Sequence, residues 1–87
     1  MTVDERALVA RARRGDPRAF EALVRAHATY VYNLALGVLR DPQEAEDAAQ
    51  DALVRVWQGL ATFRGDAAFR TWLYRIVVRV CFDRAPD

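Results

Sequence analysis

Two Asp-Pro pairs, Asp16-Pro17 and Asp41-Pro42, constrain the fold of this chain more than any other feature. An aspartate before a helix accepts hydrogen bonds from the first free N–H groups, and a proline in the first turn has no N–H to lose. Each pair therefore opens a helix. Between and after them the apolar residues recur at three- and four-residue steps, and no segment shows the alternation of a strand. The chain is expected to be all-α, a compact bundle of about four helices.

The first helix is predicted from about Val3 to Arg14, with Thr2 as its N-cap and Glu5 closing a capping box. Leu8, Val9 and Ala12 give it a short apolar stripe, and Gly15 stops it. The second runs from Pro17 to about Leu39. Phe20, Leu23, Val24, Val31, Leu34, Ala35 and Val38 form one stripe; Tyr32, Leu36 and Leu39 form another. No charge occurs from Ala28 to Leu39, so this helix is expected at the centre of the bundle. The third, opened by an Asp41–Glu44 capping box, reaches about Leu60. Ala45, Ala49, Ala52, Leu53, Val56 and Leu60 face inward, while Asp47, Gln50, Asp51 and Val54 fall on the other side. Residues 61–66 read as a loop with Gly65 as its flexible point. The fourth helix is predicted from Ala67 to Asp83, burying Phe69, Leu73, Ile76, Val77 and Val80, and Arg84 to Asp87 read as the start of a linker.

Eighty-seven residues, 53% hydrophobic and 29% charged, are enough for one folded domain. One cysteine, Cys81, and one histidine, His27, exclude an internal disulfide and a Cys/His metal cluster. Cys81 sits in an apolar stretch and reads as a buried, inert thiol. His27 lies on a core stripe and reads as a satisfied core or boundary histidine. No apolar run approaches the ~20 residues that span a bilayer. The start, Thr2-Val3-Asp4-Glu5, is acidic where a secretory signal is basic. A cytoplasmic, non-membrane protein is expected. No nucleophile–base–orienter set or glycine-rich phosphate loop is present, so neither catalysis nor a metal or cofactor is expected.

Charge is unevenly placed. Residues 41–60 carry Asp41, Glu44, Glu46, Asp47 and Asp51 against Arg55 alone; residues 61–87 carry five arginines against three acids. Two binding surfaces of opposite sign follow. Helical spacing puts Trp72, Arg75, Arg79 and Phe82 on one outer face, where guanidinium groups hold phosphates and flat rings stack on unpaired bases. A solvated face with a partly buried tryptophan fits the same spacing. Asp47, Gln50 and Asp51 make a docking patch for a basic partner, or an ordinary solvated surface. Glu44 alone is accounted for by the helix dipole.

Three motifs in order carry a resemblance. Gly15-Asp16-x-x-Ala19-Phe20-x-x-Leu23, Asp41-Pro42-x-x-Ala45-Glu46-Asp47-Ala48-Ala49-Gln50-Asp51-Ala52 and Phe69-Arg70-Thr71-Trp72-Leu73-Tyr74-Arg75-Ile76 resemble region 2 of extracytoplasmic-function (ECF) sigma factors of bacterial RNA polymerase. The resemblance implies that residues 1–84 bind core polymerase and melt the −10 element. Asp47, Gln50 and Asp51, joined by Leu53, Val54 and Trp57, are then placed against the clamp helices of the β′ subunit. The loop with Phe63, Arg64, Gly65 and Asp66 is placed where the family captures a base flipped from the non-template strand. Phe69, Arg70, Thr71, Trp72, Arg75 and Arg79 then carry the remaining DNA contacts. Trp72 takes one position of the wedge that primary sigma factors fill with two tryptophans, and Leu73 takes the other, implying weaker melting and a stricter promoter. An anti-sigma factor is a further implied partner, and the free protein is expected to be a monomer. Val77-Val78-Arg79 departs from the family's usual Ala-Arg-Asn. The −35-reading region 4 is absent, which reads as an excised piece or a truncated protein.

Two alternatives stay open on the residues alone. A helix-turn-helix repressor needs polar base-reading side chains early in its recognition helix, and Ala67-Ala68-Phe69 offers none. A helical protein-binding module would engage a partner without touching nucleic acid directly.

Overall fold

The computed structural model describes residues 4–65 and 67–84, arranged as four α-helices. They are α1 (Glu5–Arg13), α2 (Pro17–Leu39), α3 (Pro42–Gly59) and α4 (Phe69–Arg84). A single 3₁₀ turn, Leu60–Thr62, continues α3. No strand occurs among the described residues.

The aspartate caps set the helix starts. Asp16 accepts from the N–H groups of Arg18 at 3.0 Å and Ala19 at 3.4 Å. Asp41 accepts from Gln43 at 2.9 Å and Glu44 at 3.2 Å. For α1 the expectation is corrected: Asp4, not Thr2, is the cap, accepting from Arg6 N–H at 3.0 Å, and Thr2 lies outside the described residues. The Asp41 box is only half formed, because the Glu44 carboxylate is turned to Arg84.

Gly15 adopts φ +92° and its N–H closes on Ala12 O at 2.9 Å, which ends α1 in a tight corner. No glycine marks the end of α2. Arg40 itself takes the left-handed conformation, φ 58°, and donates to Leu36 O at 2.8 Å. The α4 start shifts from the predicted Ala67 to Phe69, because Ala68 O accepts the Thr71 and Trp72 N–H groups and so fills the cap position. Its end shifts from Asp83 to Arg84.

As its uncharged stretch requires, α2 is central and packs on the other three helices. Its Leu23, Val31 and Ala35 meet Val9 and Ala12 of α1, Val56 of α3, and Leu73, Val77 and Val80 of α4 in one core. Full burial of a leucine or valine such as Leu23 or Val31 contributes about 1.5–3 kcal/mol each. The inward stripe of α3 is Ala45, Ala48, Ala52 and Val56. This corrects the predicted set: Ala48 is buried, while Ala49 and Leu53 sit at the edge. Small alanines face both α2 and α4 because they allow the closest approach. The rotation leaves Leu53 beside α2 at the surface.

Candidate functional site

Two separate surfaces emerge, one on α3 and one around the segment that leads into α4. On α3, Glu44, Asp47 and Asp51 follow at three- and four-residue steps and so share a stripe. Arg84, the last residue of α4, lies over it. Its Nη1 donates to Asp51 Oδ2 at 2.6 Å, and its Nη2 is 3.7 Å from Glu44 and 3.8 Å from Asp47. Gln50 is exposed beside this stripe.

The other flank of the same helix face is apolar. Val54 and Trp57 are exposed at 54% and 44%, unusual values for residues so apolar. With Leu53, Pro17 and Phe20 they line an open hollow of about 400 Å³. Phe20, expected in the core, forms the hollow's wall by packing edge-on to Trp57, 4.8 Å between ring centres. All six residues predicted for the protein-facing site thus lie on one continuous face, acidic toward α4 and greasy toward α2.

The second surface centres on a pocket of about 710 Å³ between α1 and the segment 63–69. Glu5, Arg6, Val9, Ala10 and Arg13 of α1 form one wall; Phe63, Gly65, Ala67, Ala68 and Phe69 form the other. Gly65 bends the segment with φ +79°. Phe63 and Phe69 are buried, only 7% and 6% exposed, with their rings in edge contact at 6.0 Å. They form the pocket's base and are not free rings. Arg64 is exposed in the same segment but does not line the pocket, and Asp66 lies outside the described residues.

The outer face predicted for α4 is corrected at Trp72. Its ring turns inward, 4.9 Å from Phe63 and 5.9 Å from Phe69, and lies over Gly59, where a Cβ would come within 3.4 Å of it. Trp72 borders the buried stripe; Phe69 meets it from one helical turn earlier, and Phe63 reaches it from a segment whose path helical periodicity does not specify. Arg75, Arg79 and Phe82 do face solvent, joined by Tyr74, and Phe82 is 66% exposed. Arg79 is within 3.6 Å of Asp83, which also lies 3.5 Å from Arg55. Thr71 is exposed, and Arg70 stacks its guanidinium 4.0 Å over the Tyr30 ring of α2. Leu73, the second wedge position, is buried in the core.

His27 is a boundary residue: its Nε2 is hydrogen-bonded to Glu5 Oε1 at 2.5 Å, which ties α1 to α2, and its ring lies 5.3 Å from Phe69. Cys81 is fully buried; burial pushes its thiol above the usual range, and the nearby Arg84 charge pulls part of the way back. Among the described residues no cluster of three His, Cys, Asp or Glu side chains is arranged to hold a metal. Sequence reasoning missed Arg84, Arg6 and Arg13. All three act across long sequence separations, and only their sign was readable.

The described residues thus form an all-α domain with an acidic–apolar helix face and, apart from it, an aromatic pocket with arginines on one wall. Residues 23–86 match the family Sigma-70 region 2, and the chain belongs to that family. It is 46% identical over 71 residues to the RNA polymerase sigma-H factor of Pseudomonas aeruginosa, which covers 82% of this chain and 37% of that protein. The ECF RNA polymerase sigma factor SigM of Mycobacterium tuberculosis is 44% identical over 70 residues, 80% of this chain and 36% of that one. The ECF RNA polymerase sigma-E factor of Escherichia coli is 40% identical over 76 residues, 85% and 38% of the two chains. The chain therefore spans well under half the length of these relatives, each of them a sigma factor of RNA polymerase.

The fold agrees. An engineered region 2 of sigmaE, solved by NMR in complex with GTAAAA, superposes with a TM-score of 0.88 at 29% identity, covering 95% of this chain and 88% of that one. CnrH, solved with the cytosolic domain of CnrY, gives 0.84 at 34% identity, covering 91% and 51%. Sigma region 2 is the part of such a factor that recognises and melts the −10 promoter element.

Proposed function

We propose that this chain is the polymerase-binding and −10-melting module of an ECF sigma factor, with residues 1–84 as the functional unit. Asp47, Gln50 and Asp51 hold the β′ clamp helices, and Val54, Trp57 and Leu53 extend the contact into the apolar hollow. A base of the non-template strand, flipped out of the −10 element, enters the pocket beside Phe63, Arg64 and Gly65. Arg6 and Arg13 neutralise its flanking phosphates, and Arg75 and Arg79 attract the adjoining backbone without reading sequence. Arg70 and Thr71 lie at the start of the same helix, within reach of that strand.

The energetics suit such a module. Extruding a base costs a few kcal/mol. Enclosing the base in a pocket and neutralising its phosphates offset that cost in single-strand binders. Binding alone therefore offsets opening, and no nucleotide hydrolysis is required. Trp72 contributes by bracing Phe63 and Phe69, so the pocket holds its shape before the base arrives. On this reading the module acts on the cytoplasmic polymerase as a free monomer; no helix among the described residues is long and apolar enough to cross a membrane.

The observation that carries this reading is the arginine-rimmed pocket of about 710 Å³ with two buried phenylalanines at its base. It has room for a nucleobase, and its α1 wall offers Arg6 and Arg13 to a phosphate beside Glu5, whose carboxylate is engaged by His27. The test is fluorescence polarisation with a panel of −10 non-template single strands and the matching duplexes, with a β′ clamp-helix fragment present. Preference for single strand is expected; equal or stronger binding to duplex contradicts it.

A second reading rests on the apolar hollow. An anti-sigma factor would seat an apolar side chain between Phe20, Val54 and Trp57, and so exclude the polymerase. The CnrH complex with a cytosolic domain supports that kind of partner. Such binding would compete with the clamp fragment in the same assay.

A further inference from the structure

Three carboxylates of α3, those of Glu44, Asp47 and Asp51, face a single guanidinium, and that guanidinium belongs to the chain itself. Arg84 comes from the far end of the sequence relative to Asp51, 33 residues on, and reaches the stripe only because α4 packs along α3. Its strongest contact is with Asp51 at 2.6 Å; the other two are longer, 3.7 and 3.8 Å. We propose that Arg84 is a built-in competitor for the basic side chain of the docking partner, occupying the acidic stripe until that partner displaces it. This rests on the reading of α3 as the docking face.

The geometry fits a competitor better than a structural clasp. Arg84 makes its contacts through Nη1 and Nη2, while its Nε is shut away from solvent with no hydrogen-bond acceptor. A buried N–H without an acceptor subtracts from what the contact contributes. The acids stay about half exposed, 50% for Glu44, 48% for Asp47 and 54% for Asp51, and exposed pairs contribute little. The contact is therefore easy to replace. A partner that presents a planar fork with all its donors satisfied would do better on the same acids.

The charge count points the same way. Three carboxylates against one guanidinium leave the stripe negative, so it still attracts a basic helix from a distance while its best hydrogen-bonding site is filled. Displacement would also remove one of the two charged ties between the last turn of α4 and α3. Asp83, next to Arg84, then remains tied to Arg55 alone across the two helices, at 3.5 Å.

The test measures binding of the β′ clamp-helix fragment to the 87-residue chain and its variants by isothermal calorimetry. Arg84→Gln is expected to bind about fivefold more tightly, which converts to ~1 kcal/mol. Arg84→Lys keeps the charge and should stay near the parent affinity. Equal or weaker binding by Arg84→Gln overturns the competition. Asp47→Arg with Asp51→Arg separates this from the docking reading: if that variant still binds the fragment, the α3 face is not the docking site. If it fails to bind while Arg84→Gln is unchanged, only the competitor role is lost. Independently of any variant, the Arg84 side-chain NMR signal must move on addition of the fragment to the parent chain. A signal that stays put contradicts displacement.

Discussion

The outer face of α3 and the surface around the start of α4 are built from similar residue types, acids, arginines and large rings, in opposite arrangements. On α3 the charges converge on one point and the large apolar side chains are left out: Trp57 and Val54 stand exposed beside the acidic stripe. Around α4 the rings converge and the charges are left out: Phe63, Phe69 and Trp72 pack together, while Arg64, Arg75 and Arg79 face solvent. The difference follows from what each ligand offers. A folded protein brings complementary shape, so exposed apolar side chains on a regular helix are useful anchors. An unpaired strand brings phosphates and one flat base at a time, so the rings must already form a pocket.

The shared core supports both faces, and removing part of it should break both at once. Leu73→Ala, at a fully buried position between them, is expected to cost about 2–5 kcal/mol of stability in urea denaturation. Clamp-fragment and single-strand binding should weaken together near the unfolding midpoint. Trp57→Ala sharpens the contrast. It should cost about 1–2 kcal/mol of clamp-fragment binding, as expected for a partly exposed aromatic anchor, and leave single-strand affinity unchanged. Arg75→Gln does the reverse. Each lost phosphate contact to a single strand lowers the salt slope by about 0.7, so a titration of affinity against salt should show a shallower line with clamp binding intact.

The smallest expected effect lies in the corner that carries α1 and its half of the pocket. A hydrogen bond from the Arg11 guanidinium holds the Asp16 carboxyl below the ordinary aspartate range, aided by the Ala19 and Arg18 N–H groups and opposed by partial desolvation. A lowered folded-state pKa gives stability that is present above the unfolded pKa and lost as pH falls through the folded one. The thermal midpoint should therefore drop through acid pH, and Asp16→Asn should flatten that limb. An unchanged acid limb in Asp16→Asn would place the sensitivity elsewhere.

Much of this was legible in the residues. Asp16 and Asp41 announced two of the helices because capping is local chemistry. The uncharged run in α2 announced its central place. The α3 acids and Val54 fell on the outer face as periodicity required. What could not be read was which long-range neighbour each side chain would meet. Trp72 turned inward because the Phe63 ring reaches it from a separate segment. Ala48 displaced Ala49 from the core because two helices, not one, press on α3. Arg84 reached the acids only through the packing of α4 on α3. The pocket wall from α1 was invisible for the same reason, since nothing local to Arg6 and Arg13 shows that residues 63–69 lie against them.

Separate partners for the two surfaces are the central claim, and one pair of titrations tests it most directly. The Asp47→Arg, Asp51→Arg chain is titrated with the β′ clamp-helix fragment and, alone, with a −10 non-template single strand. Loss of the first interaction with the second kept or strengthened is the predicted result. Equal loss of both, with helical circular dichroism retained, would mean that the two surfaces act as one.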